Sequence, residues 1–383
     1  MKITEIKTYV LSAPLEDSFA FSQGWVQKRS TMLVEVLTDE GLIGWGESLC
    51  HGLQPPEVAA AIVEHSLKPL LLGEDPFDVE VLWEKMYNHT RPYGQGGAVV
   101  NAMSSVDIAL WDVLGKALNK PVAKLLGGTY RSSVTPYATG FYRLRDKSYP
   151  AAAIEEAQRH IDNGFQAMKL KTGFGMKEDI EYILAVREAI GPDTLLMIDA
   201  NCAYNAATAR RILLEVEPAK LYWFEEPLAP EDIGGYKALK SLTSTFIASG
   251  ENLLGYIAFR DWVAEQAVDV LQPDLCSSGG FTACKKISTL ASTWHMMVNP
   301  HVWGSGVGLA ASLQYLATIP PAPLAMQPVE PMLEYDQSTH PFRQDLIFNA
   351  IEMNAEGKVD IPVKPGIGVE VNREVIEKYK LNI

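Results

Sequence analysis

Six short apolar runs, each closing on residues that can do acid–base or metal chemistry, constrain this chain's fold more than any other feature. They end at Lys169 and Lys171 (Ala-Met-Lys-Leu-Lys), Asp199 (Leu-Leu-Met-Ile-Asp), Glu225 (Leu-Tyr-Trp-Phe-Glu), Glu251 (Thr-Phe-Ile-Ala-Ser-Gly-Glu), Asp274 (Val-Asp-Val-Leu-Gln-Pro-Asp) and His301 (Met-Met-Val-Asn-Pro-His). Counted from Lys171, the steps are 28, 26, 26, 23 and 27 residues. Each step holds one strand, one helix and two short loops. Apolar runs without alternation read as parallel strands covered by helices on both faces. Polar residues recurring at their C-terminal ends are the pattern of a (β/α)8 barrel, whose active site lies on that face. One acid after an apolar run is an ordinary loop residue, whereas a whole series of them is hard to produce by packing alone.

The rest of the chain is arranged around this series. Residues 1–12 and 30–49 read as an antiparallel sheet with a turn at Asp39-Glu40-Gly41. Residues 15–29 have no clear period and read as a loop. Helices are predicted over 55–71, 76–89 and 97–118, the last with a broad apolar face. Val134 to Thr139 is the expected first barrel strand, Tyr149 to Asn163 its helix, and Gln327 to Glu334 the eighth strand. The expected fold is α/β: a modified, TIM-like (β/α)8 barrel over 131–345 with an α+β capping domain over 1–130, completed by the loop-rich tail 346–383.

Composition removes several classes of function. The chain has 383 residues, 47% of them hydrophobic, enough for about two domains with sizeable cores. A formal charge of -14 would repel nucleic acid and anionic membranes. No apolar run reaches the length of about 18 residues that marks a bilayer span, and the first residues alternate like a strand instead of forming a signal peptide. A cytoplasmic, homo-oligomeric protein is expected. Cys50, Cys202, Cys276 and Cys284 have the spacing of neither a zinc site nor a disulfide framework, and they read as small buried residues.

Asp199, Glu225 and Glu251, supplied by three successive strands with no His or Cys among them, suit a hard cation with oxygen ligands, and Mg2+ is the first choice. Without a cation the three would raise one another's pKa. Glu226 is not expected to ligate, because adjacent strand residues face opposite ways. Lys169 and Lys171, two apart on one strand, point the same way into the barrel mouth. Two ammonium groups side by side depress each other's pKa, and a neutral amine can act as a base. His301 faces them across the mouth, with Asp274 one strand earlier to fix its tautomer and favour the imidazolium.

Lys169-Leu-Lys171, Asp199-Ala-Asn201, Glu225-Glu226-Pro227, Gly250-Glu251-Asn252, Gln272-Pro273-Asp274 and His301 resemble the mandelate racemase subgroup of the enolase superfamily. The likeness extends over essentially the whole chain, including Ser104-Ser105-Val106-Asp107-Ile108-Ala109-Leu110-Trp111-Asp112 in the capping domain. It implies Mg2+ on Asp199, Glu225 and Glu251, acid–base groups at Lys171 and His301, and Asp274 as the partner of His301. It also implies Lys169 and Asn201 near a substrate carboxylate, and Glu334 as a hydrogen-bonding acid on the eighth strand. Lys or His bases working with Mg2+ on an ene-diolate are the known chemistry of this superfamily.

Within the subgroup, Pro136-Tyr137-Ala138-Thr139-Gly140, Gly279-Gly280-Phe281, Pro300-His301-Val302-Trp303-Gly304 and His340-Pro341-Phe342-Arg343-Gln344 resemble the lactone-opening cycloisomerases. The resemblance implies a small sugar-acid substrate, a D-galactaro- or D-glucarolactone. Loss of its α-proton would give an enediolate stabilised by Mg2+ and Lys169, and expulsion of the ring oxygen would leave a 2-keto-3-deoxy aldarate. A dehydratase of open-chain aldarates or aldonates runs on the same machinery and differs in what leaves; a non-catalytic barrel with a structural cation would have no use for Lys171 or the Asp274 and His301 pair. A second carboxylate would want a cation in the capping loops, where the candidates are Lys28 and Arg29 in one loop and His51 in the other.

Overall fold

The computed structural model describes residues 1–323 and 325–382; Leu324 and Ile383 lie outside the described residues. Eight parallel strands wrap into the barrel: Pro136–Gly140, Ala167–Lys171, Leu195–Asp199, Trp223–Glu225, Phe246–Ser249, Val270–Leu271, Met297–Val298 and Leu333–Asp336. The eighth pairs with the first, Leu333 opposite Pro136. The seam between the seventh and eighth is crossed by side chains instead of a ladder. Met332 N–H donates to Asn299 Oδ1 at 2.7 Å, and Val302 N–H donates to Glu334 Oε2 at 3.1 Å. The expected eighth strand began too early. Pro328 and Pro331 have no N–H to give a ladder, so pairing starts only at Leu333.

Alternation along each strand sorts the layers. Met168, Leu170, Leu196, Ile198, Phe224 and Leu271 belong to the large core that includes the outer helices. Ala167, Met197, Trp223, Ala248 and Val270 form a separate apolar plug with Tyr137. The inward positions above this plug are Lys169, Lys171, Asp199 and Glu225. Register puts them level: Lys171 lies opposite Asp199, Asp199 opposite Glu225, and Asp274 opposite His301.

The N-terminal sheet joins Ile3–Phe21, Gly24–Thr38 and Ile43–Ser48 in antiparallel order, with the predicted turn between the last two. Residues 15–29 are not a loop. They continue the first hairpin to a turn at Ser22 and Gln23, past a register irregularity between Pro14 and Phe19 that breaks the alternation a sequence reading relies on. The hairpin tip reaches the barrel mouth, where Ser22 Oγ donates to Ala200 O (2.8 Å) and Gln23 Nε2 to Asn201 O (2.6 Å).

The helix Gly97–Ala117 is long and apolar enough to cross a membrane, but 78% of its apolar window is buried inside the protein. It lies hard against Ile43–Ser48: a Cβ on Gly46 would stand 1.9 Å from Ser105 O, and one on Gly44 2.0 Å from Ala109 O. Its polar residues tie it to the barrel. Ser104 Oγ accepts from Gly279 N–H and Asp107 Oδ2 from Thr282 N–H, at the start of the barrel helix Gly280–Ser292. Glu47 makes a second tie, accepting from Thr31 Oγ1 (2.7 Å), Ser305 N–H (2.8 Å), Ser305 Oγ (2.6 Å) and Gly308 N–H (2.7 Å). The tail packs back on the N-terminal sheet: Leu381 N–H donates to Val10 O, and Arg373 pairs with Glu35.

Candidate active site

The strand ends converge on a buried ionic cluster. Asp199, Glu225 and Glu251 each offer a carboxylate oxygen within 4.8 Å of the others. All three are buried, and Glu251 Oε2 has no hydrogen-bond partner although it is out of solvent contact. An anionic oxygen without a hydrogen bond inside a protein is costly, and here the His301 ring faces it at 3.4 Å without making one. Three hard oxygen donors that converge in this way, Glu251's among them, fit a divalent cation like Mg2+. Glu226 turns aside, with both its oxygens accepting from Asn252 Nδ2 at 2.8 and 2.9 Å.

Lys169 and Lys171 do point the same way, but acids surround them. Lys169 Nζ contacts Glu225 (2.5 Å), Glu334 (2.8 Å) and Asp199 (3.8 Å). Lys171 Nζ contacts Asp199 (2.5 Å) and Asn201 Oδ1 (3.2 Å). Lys169 does depress Lys171 as expected, but the net shift runs the other way. Burial pulls both pKa values down, but the facing carboxylates outweigh both burial and mutual repulsion and hold them above the ordinary lysine value. Glu334 is held well below the ordinary carboxylate range: burial works against this, and Lys169, His301 and Lys171 overcome it. Glu225, with burial as the main cause and Asp199 and Glu334 adding to it, is raised to about 7.

His301 closes the opposite side. Its Nδ1 is 2.6 Å from Asp274 Oδ2, whose other oxygen accepts from Cys276 N–H. Nδ1 therefore carries a proton, and Nε2 faces Glu251 Oε2 at 3.4 Å and Glu334 Oε2 at 4.0 Å. Burial alone would lower this histidine, yet Glu251, Glu334 and Asp274 raise it to about 10.

A cavity of about 510 Å³ opens above the cluster. Lys171, Asn201, Glu251 and His301 line it from the barrel, and the cap contributes His51, Gln54, Leu53 and the hairpin-tip residues Phe21 and Gln23. Lys169, Asp199, Glu225, Asp274 and Glu334 sit beneath or behind this lining. Of the cap cations singled out in the sequence, only His51 reaches the cavity. Lys28 is exposed elsewhere, and Arg29 is buried against Asp336 at 3.1 Å. His51 takes Gln54 Oε1 on Nδ1 at 3.2 Å, and its ring centroid is 5.6 Å from that of His301. Cys202, expected to be a buried packing residue, lines the cavity wall, as do Tyr142, Asn252 and Trp303, which the sequence reading did not assign to the site. The Gly-Glu-Asn triplet at 250–252 was the one local signal for Asn252.

Residues 4–127 match the mandelate racemase / muconate lactonizing enzyme N-terminal domain, and residues 152–375 match the enolase C-terminal domain-like family. The D-galactarolactone cycloisomerase of Agrobacterium fabrum is 40% identical over 381 residues, covering 100% of this chain and 99% of that protein. The arabinonate dehydratase of Saccharolobus solfataricus is 33% identical, covering 90% of this chain and 89% of its own. Among solved structures, the 3,6-anhydro-D-galactonate cycloisomerase from Zobellia galactanivorans superposes with a TM-score of 0.89 at 35% identity, over 100% of both chains.

Proposed function

The chain belongs to the mandelate racemase and muconate lactonizing enzyme family of the enolase superfamily, and from that membership we propose that it opens a D-galactaro- or D-glucarolactone to a 2-keto-3-deoxy aldarate. The observation that carries this reading is that Lys171 and the Asp274-backed His301 line one cavity directly above three carboxylates able to hold a cation. Asp199, Glu225 and Glu251 would hold Mg2+, which supplies positive charge where a substrate carboxylate gains negative charge. Lys171 would share Asp199 with the cation, and the weaker ion pair moves its amine toward the neutral form that a base requires.

The residues then divide the work. Of Lys171 and His301, one takes the proton α to the free carboxylate and the other returns a proton to the product. Asp274 keeps Nδ1 of His301 protonated, so that Nε2 alone exchanges protons with substrate. Lys169, locked by Glu225 and Glu334, is a fixed positive charge under the site that favours the enediolate. Collapse of the enediolate breaks the bond between the β-carbon and the ring oxygen, which departs as the second carboxylate. The enol left behind takes a proton at the β-carbon. Water is neither consumed nor released, so the product is an isomer of the lactone.

The 40% identity to a galactarolactone cycloisomerase across the full length favours this substrate. Dehydration of an open-chain sugar acid is the second reading, favoured by the similar arabinonate dehydratase. Purified lactone and purified open-chain acid, followed separately by NMR where spontaneous lactone hydrolysis is negligible, decide between them. Ring opening requires a higher kcat/KM for the lactone; a higher value for the open-chain acid establishes the dehydratase.

A further inference from the structure

The cavity is charged at one end only. Lys171, Glu251 and His301 crowd the barrel end, and among the described residues lining the cavity no other Lys or Arg is present. The cap arginine Arg29, stacked behind the cavity residue Trp303, does not line the cavity: it pairs with Asp336 and donates to Thr339 O and Ser338 Oγ, while its buried Nη1 has no hydrogen-bond partner.

The neutral donors of the remaining wall are engaged only in part. Asn252 Nδ2 donates to both oxygens of Glu226, and Trp303 Nε1 donates to Tyr142 Oη at 2.7 Å. Tyr142 Oη in turn donates to Asp336 Oδ1 at 3.3 Å. Gln23 Nε2 donates to Asn201 O at 2.6 Å and Gln54 Nε2 to Leu49 O at 3.3 Å, each with one of its two N–H groups. What remains on this wall is polar but uncharged by any Lys or Arg: the second N–H and Oε1 of Gln23, the second N–H of Gln54, Asn252 Oδ1 and the unpartnered His51 Nε2, a mixture of donors and acceptors that suits hydroxyl groups. A carboxylate offers only acceptors, whereas a hydroxyl also brings a donor.

We propose that the cap-side wall recognises hydroxyl groups and rejects a second carboxylate, so that the site accepts monoanionic sugar acids, lactones included, and discriminates against open-chain aldarate dianions. This rests on the sugar-acid reading of the site above, and deepens it by fixing the charge of the end remote from Lys171. Leu53, which lines the cavity and is 46% exposed, is a place where a cation can be introduced without disturbing the core.

The test is calorimetric binding of two open-chain acids, D-galactonate and D-galactarate, at saturating Mg2+. Neither probe has a ring, so the outcome is independent of whether the enzyme opens lactones or dehydrates acids. Wild-type protein should bind the monoanion at least about tenfold tighter, since a second carboxylate gives up its hydration to a wall with no Lys or Arg to pair with it. Leu53→Arg should narrow or reverse that ratio by tightening galactarate while leaving galactonate little changed. Equal or tighter binding of galactarate by the wild type, undetectable binding of galactonate, or a ratio that Leu53→Arg fails to move would overturn the proposal. Failure of lactone turnover alongside the expected ratio would instead remove the ring-opening reading and leave this one standing.

Discussion

His301 Nδ1 lies 2.6 Å from Asp274 Oδ2, a contact between residues 27 apart that adjacent parallel strand ends bring level. The carboxylate fixes which ring nitrogen faces the cavity. Asp274→Asn keeps the shape of that contact and removes the charge, so it tests the pairing apart from the packing.

Lys171→Ala and His301→Asn should fold normally and each lose at least about 10²-fold in kcat, the lower range for positioned proton transfer. Asp274→Asn should lower kcat as well. Steady-state kinetics beside thermal melts checks this; a variant within a few-fold of wild type removes its residue from the proton transfers.

Chelation should abolish turnover and Mg2+ should restore it, because Glu251 Oε2 is buried without a hydrogen-bond partner and three carboxylates converge there. Glu251→Gln should raise the Mg2+ concentration needed for half-maximal activity by about tenfold or more, as expected when a charged hard ligand is lost. Full activity in excess EDTA would refute the ligand assignment.

Glu47→Ala should destabilise the protein by about 3 kcal/mol or more, because it strands the donors of Thr31, Ser305 and Gly308 in a buried site. Denaturant titration measures the loss. Since Ser305 follows the segment carrying His301, kcat should fall too, while the Mg2+ requirement stays near that of wild type.

His340 provides a pH test remote from the ionic cluster. Burial, and then Arg29 and Arg343, depress its pKa well below the ordinary 6.5. The unfolded chain takes up this proton as pH falls below about 6.5 and the native state does not. Its contribution to stability is therefore fully present above that pH, and lost on acidification at up to about 1.4 kcal/mol per pH unit. His340→Phe should flatten the fall in stability between pH 7 and 5; an unchanged profile would show that His340 does not govern it.

The barrel was legible because its period is long and its chemistry sits at strand ends: the strands that end at Lys171, Asp199 and Glu225, and the one that ends two residues before Glu251, fall where the apolar runs put them. The hairpin tip was not, because the irregularity between Pro14 and Phe19 erases alternation there. Pro328 and Pro331 displaced the eighth strand for a local reason. The cavity wall was hidden for a different reason, since Tyr142, Gln54 and Asn252 come from separate loops that meet only in the fold. Spacing placed the two lysines on one face, but their charge state depends on the surrounding acids, which spacing does not reveal.

The seam of the barrel carries a constraint of its own. Glu334 closes it by accepting from Val302 N–H, and the same carboxylate grips Lys169. One joint of the scaffold and the counter-charge of a lysine beneath the site are thus one side chain. Such a protein cannot drift freely toward a new reaction at this position, because replacing Glu334 alters the surroundings of Lys169 and removes one of the two described hydrogen bonds across the seam in the same step. Divergence is directed instead to the cap, where the wall of the cavity can be rewritten one loop residue at a time.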